Sequence, residues 1–460
     1  MKRTKPCARA TSPNTAKSRS GCGRSSRAWR ASKLGSVEFR ISRAARIEGS
    51  LRPPSDKSIT HRAYLFGSIA SGPCVVRQPL EAEDCESTLA CLARLGLTCE
   101  RSAGEVRLIP ATAWRAPEGD LECGNSGTTM RLLAGLVAAR PIQAVMTGDA
   151  SLSRRPMGRI AEPLRQMGAL VVGDQPPLWI RGGGLKGIRY ASPVASAQVK
   201  SCVLLAGLDA EGETWVSEPS PSRDHTERML RACGVPVLAS AADGVGVRGG
   251  SKIGAFEIRV PGDLSSAAFW LVAASLVPNS VLTLPEVGVN PTRSGVLDVL
   301  SRAGGSVEEA EIRAELGEPV ANLKVRTAPS LSAFHIGADE VPRLIDEIPV
   351  LAVLATQCEG TSEIREAAEL RTKESDRIAA MAAGLRAMGA EVETFEDGMA
   401  IQGPVPLRGT RLDCKGDHRI AMALAVAGLV ADGETCIDGW ECVRTSYPDF
   451  ERDLRSIAVL

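Results

Sequence analysis

The stretch GLRAMGAEVE, residues 384–393, decides the fold of this chain. Leu385 stands one turn before Gly389 with Arg386 between them, and Val392 then alternates with Glu391 and Glu393. This pattern reads as the last turn of an amphipathic helix, stopped by a left-handed residue that favours Gly, entering a strand. The same ending recurs as CLARLGLTCE at 91–100, PLRQMGALVV at 163–172, MLRACGVPVL at 229–238 and VLSRAGGSVE at 299–308. A degenerate copy, DLRSIAVL at 453–460, has Ala458 in the glycine place. Each copy keeps a leucine four residues earlier (Leu92, Leu164, Leu230, Leu300, Leu385 and Leu454), and most carry an arginine near the negative end of the helix. The copies lie 72, 66, 70, 85 and 69 residues apart, which makes the chain a sixfold repeat.

A second set of landmarks keeps that period. Helices are expected to begin near Lys57, Ser126, Ala197, Ser265, Glu347 and His418, each polar at its entrance and then apolar around most of its circumference, as in GDHRIAMALAVAGLVA at 416–431. A helix of that kind is buried. Each repeat of about 70 residues would therefore hold one buried helix, one amphipathic helix and several strands. Six repeats divide as three plus three, giving two α/β domains.

Composition sets the outer limits. At roughly 150 residues per domain, 460 residues allow two or three domains. Aromatics are 3% of the chain, so aliphatic cores are expected. The longest apolar stretches, 267–277 and 421–431, fall short of the roughly 18 residues of a membrane span. Thirteen cysteines are scattered with no CxxC pair, which points to reduced thiols in the cytoplasm. The formal charge of +1 divides unevenly, because residues 1–36 contain ten basic residues and no acid. The remainder, with 45 basic and 54 acidic residues, stands at −9, so positive charge is not spread over the fold as in a nucleic-acid binder. Residues 1–36 are rich in Arg, Ser and Gly without hydrophobic periodicity and are expected to be a disordered basic extension, an overlong start or a targeting segment.

Helix N-termini attract phosphates and carboxylates, and here their entrances also carry Lys57, Arg131, Lys200 and Arg419. Further cations stand in loops: Arg154 and Arg155, Arg223, and Lys373 with Arg377. Taken singly each has an ordinary reading: Arg131 and Lys200 as snorkelling side chains, Glu374 and Arg377 as a surface i,i+3 pair, Asp346 as an N-cap. Together they point to a cleft for more than one anionic group. Asp346 and Glu374, set among these cations, would be held ionised and would keep a neighbouring lysine protonated. No HExxH, no GxxxxGK[ST] and no GxGxxG before a strand occurs, which counts against zinc hydrolysis, nucleoside triphosphate chemistry and nicotinamide binding.

From 37 to 460 the chain resembles the 5-enolpyruvylshikimate-3-phosphate (EPSP) synthase family. The motifs that carry the resemblance occur in order: PSDKSITHR, GNSGTTMR, RRPMGR, SAQVKS, SRDHTE, PGDLSSAAF, NPTRSG, IDEIP, RTKESDR and DHRIAM. The resemblance implies a two-domain inside-out α/β barrel of six βαβαββ units, with one domain at 55–261 and the other formed by 37–54 plus 262–460. It implies crossings near Pro53 and near Pro261 to Asp263, with the active site in the interdomain cleft. Shikimate 3-phosphate would sit on Lys57, Ser58, Arg62, Ser196, Ala197, Gln198, Arg223, Asp346 and Lys373, and phosphoenolpyruvate on Lys57, Gly127, Arg155, Gln198, Arg377 and Arg419. Asp346, Glu374 and Lys57 would carry the proton transfers, with no cofactor and no metal. A monomer acting on these two small molecules in the cytoplasm, without nucleic acid or membrane, is expected.

Two features depart from the usual pattern. Many family members have a lysine three residues before the proline of the terminal TFPD-like motif, where this chain has Thr445 beside Arg444. Ala197 and the SRDHTE form resemble a divergent bacterial class that includes glyphosate-tolerant enzymes, while Gly127 is kept where a side chain would crowd that inhibitor. The rival readings are a UDP-N-acetylglucosamine enolpyruvyl transferase, whose Arg-rich loop typically holds a cysteine that SLSRRPMGR lacks, and a noncatalytic anion-binding protein acting through its basic extension.

Overall fold

The five repeated glycines behave alike. In the computed structural model, which describes residues 37–460, Gly96, Gly168, Gly234, Gly304 and Gly389 all have φ between +86° and +117° just after a helix. Ala458, in the degenerate copy, instead has φ −91° and ψ 128°, so the last helix runs straight into a terminal strand without a left-handed turn. A Cβ makes the left-handed state costly, so the copy that lost its glycine lost its turn. The arginines of these last turns do more than face the dipole. Arg165 Nε and Arg386 Nε each donate at 2.9 Å to the carbonyl six residues on, Val171 and Val392, tying helix end to following strand. The basic extension over residues 1–36 lies outside the described residues.

One repeat shows the plan. The strand Leu121–Glu122 leads through the helix Gly127–Ala138 to the parallel strand Gln143–Thr147, then through the helix Gly158–Gln166 to the antiparallel pair Leu170–Val172 and Leu178–Arg181. Among the described residues six open sheets of three to five strands repeat this arrangement, and none of them closes into a barrel. The apolar helices begin close to where the sequence places them, at Lys57, Gly127, Ala197, Leu264, Ile348 and His418. They are buried as their composition requires: all eight residues of Ile348–Ala355 are buried. Two hydrophobic cores result, one from Ile59 to Val260 and one from Phe39 to Ile47 with Leu264 to Ile457.

The chain exchanges strands where it passes from one core to the other. Arg46–Ser50 precedes the Lys57–Gly67 helix yet pairs in parallel with Val281–Gly288, while Glu257–Arg259 precedes the Leu264–Leu276 helix yet pairs in parallel with Cys74–Arg77. At the crossings the two passing segments bond to each other: Asp56 N donates to Pro261 O and Asp263 N to Pro54 O, both at 2.8 Å. Arg293 clamps the same point, with guanidinium bonds to Asp56, to Asp263 at 2.6 Å and to Ser265 Oγ at 2.6 Å.

The expectation of purely aliphatic cores needs correction. Phe39, Phe269, Trp270, Trp440, Tyr447 and Phe450 gather in the second core, where Trp270 stacks on Phe450 at 4.5 Å and Phe39 on Trp440 at 4.1 Å. Trp270 Nε1 donates to Tyr447 Oη at 2.9 Å, and Tyr447 donates to Asp453 at 2.9 Å, so the polar tips are satisfied where they are buried. A low aromatic count constrains the number of such residues and leaves their clustering to the fold. Among the described residues no helix is long and apolar enough to cross a membrane.

Candidate functional site

The entrances of the buried helices are built by short polar residues before each apolar run. Asp56, Ser126, Ser196 and Asp417 cap their helices, accepting from the backbone N–H of Ile59 at 2.8 Å, Thr129 at 3.1 Å, Val199 at 3.5 Å and Arg419 at 2.9 Å. Each cap fixes the first turn, which then presents Lys57 and Ser58, Gly127, Ala197 and Gln198, or Arg419 to a shared cavity of about 520 Å³. All fourteen residues that the family resemblance implies for substrates and proton transfer line that cavity: Lys57, Ser58, Arg62, Gly127, Arg155, Ser196, Ala197, Gln198, Arg223, Asp346, Lys373, Glu374, Arg377 and Arg419.

Asp346 is no helix cap. The helix beside it starts at Ile348 with Glu347 in the capping place and no side-chain cap bond. Its carboxylate instead meets Arg223 Nη1 at 2.8 Å and Arg377 Nη1 at 3.3 Å, with Arg419 Nε at 3.8 Å. Burial alone would raise its pKa, yet Arg419, Arg223, Lys373 and Arg377 outweigh burial and hold the carboxyl well below its ordinary range. Glu374 is held down in the same way, burial being overcome by Arg377 at 2.6 Å and Arg155 at 3.5 Å. It is therefore part of the site, and its contact with Arg377 is no surface pair. Arg377 itself is 1% exposed and also donates to Asp417 at 2.8 Å.

Lys57 has the opposite poise. Burial favours its neutral form, but Asp84 at 3.0 Å and the nearby Glu374 outweigh burial and the repulsion of Arg419, so its pKa is raised. Arg62 and Arg131 are drawn down to about 10, burial being the main cause for each and the Arg155 charge adding to it at Arg131. Arg62 is anchored by Thr226 Oγ1 at 2.8 Å and Ser201 Oγ at 2.9 Å, and Gln198 accepts from Arg131 at 2.7 Å while donating to Thr128 at 3.0 Å. His418 is pushed down to about 3 by burial and then by Lys57, which leaves a neutral imidazole at the cavity wall.

Some expectations fail here. Lys200 does not reach the cavity; it is buried behind it, 2.9 Å from both Glu218 and Glu227 and donating to Ser222 O at 3.1 Å. It is neither an anion ligand nor a snorkelling side chain, because two buried carboxylates neutralise it. Arg154 is exposed while its neighbour Arg155 is buried. Neither Arg444 nor Thr445 lines the cavity. Conversely, Asp84, Arg159, Arg293, Glu369 and His418 line it although the sequence did not single them out as site residues. Arg159 and Arg293 were present in RRPMGR and NPTRSG, whereas Asp84 lies in a helix whose sequence gives no sign of its lysine partner 27 residues away.

Comparison with known proteins agrees with the geometry. The family model for EPSP synthase (3-phosphoshikimate 1-carboxyvinyltransferase) matches residues 41–454. A 3-phosphoshikimate 1-carboxyvinyltransferase of Synechococcus sp. is 51% identical over 427 residues, covering 90% of this chain and 98% of that protein. One of Desulfitobacterium hafniense is 49% identical, covering 91% and 98%. The solved structure of EPSP synthase from Acinetobacter baumannii is 44% identical with a TM-score of 0.83, covering 92% of this chain and 98% of that one. The enolpyruvyl transferase NikO from Streptomyces tendae, 19% identical with a TM-score of 0.75 and covering 92% and 98%, shares the fold.

Proposed function

The chain belongs to the EPSP synthase (3-phosphoshikimate 1-carboxyvinyltransferase) family, and on that premise we propose how its cavity works. It transfers the enolpyruvyl group of phosphoenolpyruvate to the 5-hydroxyl of shikimate 3-phosphate in the shikimate pathway, towards aromatic amino acids. The hydroxyl loses a proton and its oxygen attacks C2 of phosphoenolpyruvate while C3 gains a proton. The resulting tetrahedral intermediate then loses a C3 proton and inorganic phosphate, leaving the enol ether.

The electrostatics support a division of labour. Two phosphates and two carboxylates must converge, and Arg62, Arg155, Arg223, Arg377, Arg419 and Lys373 offset their repulsion. Lys57, with its raised pKa, is the protonated group suited to deliver the C3 proton; Glu374, held ionised, is suited to remove it in the second step. Asp346 takes the hydroxyl proton. An incoming phosphate competes for Arg223, and losing that partner raises the proton affinity of Asp346 when the hydroxyl arrives.

Shikimate 3-phosphate is assigned to Lys57, Ser58, Arg62, Ser196, Ala197, Gln198, Arg223, Asp346 and Lys373, and phosphoenolpyruvate to Lys57, Gly127, Arg155, Gln198, Arg377 and Arg419. The segments 55–261 and 37–54 plus 262–460 act as two domains whose closure excludes water from the tetrahedral intermediate. The enzyme is a cytoplasmic monomer that needs no nucleic acid.

The observation that carries this reading is that one cavity brings all fourteen expected residues together. No cysteine is among the described residues lining it, which favours the shikimate acceptor over UDP-N-acetylglucosamine. Phosphate release is to be measured from phosphoenolpyruvate with either acceptor. Release with shikimate 3-phosphate is expected, and release only with the nucleotide sugar would overturn the assignment.

A further inference from the structure

Three residues before the Asp417 that holds Arg377, Cys414 faces a second thiol. Cys414 Sγ lies 3.7 Å from Cys442 Sγ, the two residues being 28 apart in sequence. Cys414 is fully buried and is aimed by the carbonyls of Asp438 at 3.0 Å and Gly439 at 3.3 Å. Cys442 is half-buried and reachable from solvent. A Cβ at residue 439 would stand 3.1 Å from the Cys414 sulfur, so the left-handed Gly439, φ +81°, also leaves this sulfur its room.

We propose that Cys414 and Cys442 form a reversible thiol–disulfide pair whose oxidation weakens the phosphoenolpyruvate side of the cavity. The pair first loses one proton, which can pass between the two sulfurs, and the solvent-facing Cys442 sulfur then attacks a small external disulfide such as oxidised glutathione, expelling one thiolate. Cys414 then attacks Cys442 Sγ and expels the second, so two protein thiols give two electrons and two protons in forming one S–S bond. The sulfurs must close to about 2.05 Å, and movement of Cys414 is transmitted along a short tether. Lys415 and Gly416, both left-handed at φ +57° and +68°, lead directly to Asp417. Asp417 accepts from Arg377 Nε at 2.8 Å and from the backbone N–H of Arg419 at 2.9 Å, so displacing it moves both arginines assigned to phosphoenolpyruvate. The effect on substrate rests on the function proposed above; formation of the bond does not.

The purified chain is to be equilibrated in glutathione buffers of rising oxidation, mapped by peptide mass spectrometry, and assayed before and after. Expected are a Cys414–Cys442 cross-linked peptide, a severalfold rise in the KM for phosphoenolpyruvate with a smaller change for shikimate 3-phosphate, and reversal by dithiothreitol. Cys442→Ser is expected to retain the activity of the reduced protein and to lose the oxidative response. Cys414→Ser does the same if it folds, and Cys442→Ser suffices if it does not. No cross-linked peptide under oxidising buffer overturns the proposal, as does a cross-link that leaves the KM unchanged or an oxidative loss that persists in Cys442→Ser. Absence of activity in the fully reduced protein would instead reject the proposed function.

Discussion

Asp346 and Arg223 meet at 2.8 Å although 123 residues separate them, and Arg223 comes from the part of the chain that builds one core while Asp346 comes from the part that builds the other. Both residues line the cavity, and Arg377, Arg419 and Lys373 also act on the Asp346 carboxylate. Asp346→Ala is expected to lower kcat by about 10² to 10⁴, the range of a lost general base, with folding preserved. Turnover within twofold of the parent would remove Asp346 from the mechanism.

Lys57→Met removes the cation facing Asp84 and the proposed proton donor to C3. A drop in kcat of at least about 10²-fold is expected, with the KM for shikimate 3-phosphate less affected. Asp84→Asn leaves Lys57 without its main opposing charge, so the limb of the pH–rate profile due to Lys57 should move to lower pH. An unshifted limb would show that Asp84 does not set the proton affinity of Lys57.

Gly127→Ala places a methyl group 2.8 Å from Arg131 Nη1 and 3.4 Å from Arg155 Nη1. Both contacts are flexible guanidinium ends, so the helix should persist while the arginines shift. We expect the KM for phosphoenolpyruvate to rise about tenfold, equivalent to ~1.4 kcal/mol, and glyphosate, expected to compete with phosphoenolpyruvate in the parent, to inhibit less. Equal glyphosate inhibition of parent and variant would refute the placement of that inhibitor beside Gly127.

Two buried histidines make the fold acid-sensitive. His418 is pushed to about 3 and His61 well below its ordinary value of 6.5, burial being the main cause for both. As pH falls below 6.5 the unfolded chain binds protons that the folded chain refuses, so stability falls with pH down to about 3 at His418. Each histidine contributes a slope of about 1.4 kcal/mol per pH unit well inside that window. Denaturant unfolding of His61→Gln between pH 4.5 and 6 should show a shallower slope than the parent, and identical slopes would contradict the assignment. Asp346 and Glu374, held below their ordinary ranges, add a further loss as protonation proceeds below the ordinary carboxylate pKa values near 4.

Arg293→Ala leaves Asp56 and Asp263 buried without their shared cation at the strand crossings. A loss of about 3–5 kcal/mol in unfolding free energy is expected from breaking such a buried cluster. A loss below about 1 kcal/mol would mean that the two crossings are held by their backbone bonds alone.

The repeat was legible because its signals are local. A glycine that must adopt a left-handed turn, a leucine one turn earlier and a polar cap before an apolar run each record a constraint within a few residues, and six copies reinforce one another. Ala458 shows the same rule from the other side: with no glycine there, the turn is absent. The cations at helix entrances were legible in kind, and Lys200 marks where that reading stops. Whether an entrance lysine faces a cavity or a pair of carboxylates depends on Glu218 and Glu227, which the fold brings to it from elsewhere in the chain.

By itself the sequence determined the sixfold α/β repeat, the buried helices and the residues that bear charge at their entrances. The tertiary structure decided which charges meet: Lys57 with Asp84, Asp346 with Arg223, Arg293 with both crossings, Cys414 with Cys442. Local signals are written in the backbone's own requirements for caps, turns and periodic burial, whereas electrostatic partners are chosen by packing between segments far apart in sequence. Burial then strengthens whichever charges are left facing one another, so packing within and between the two cores set the proton affinities of this site.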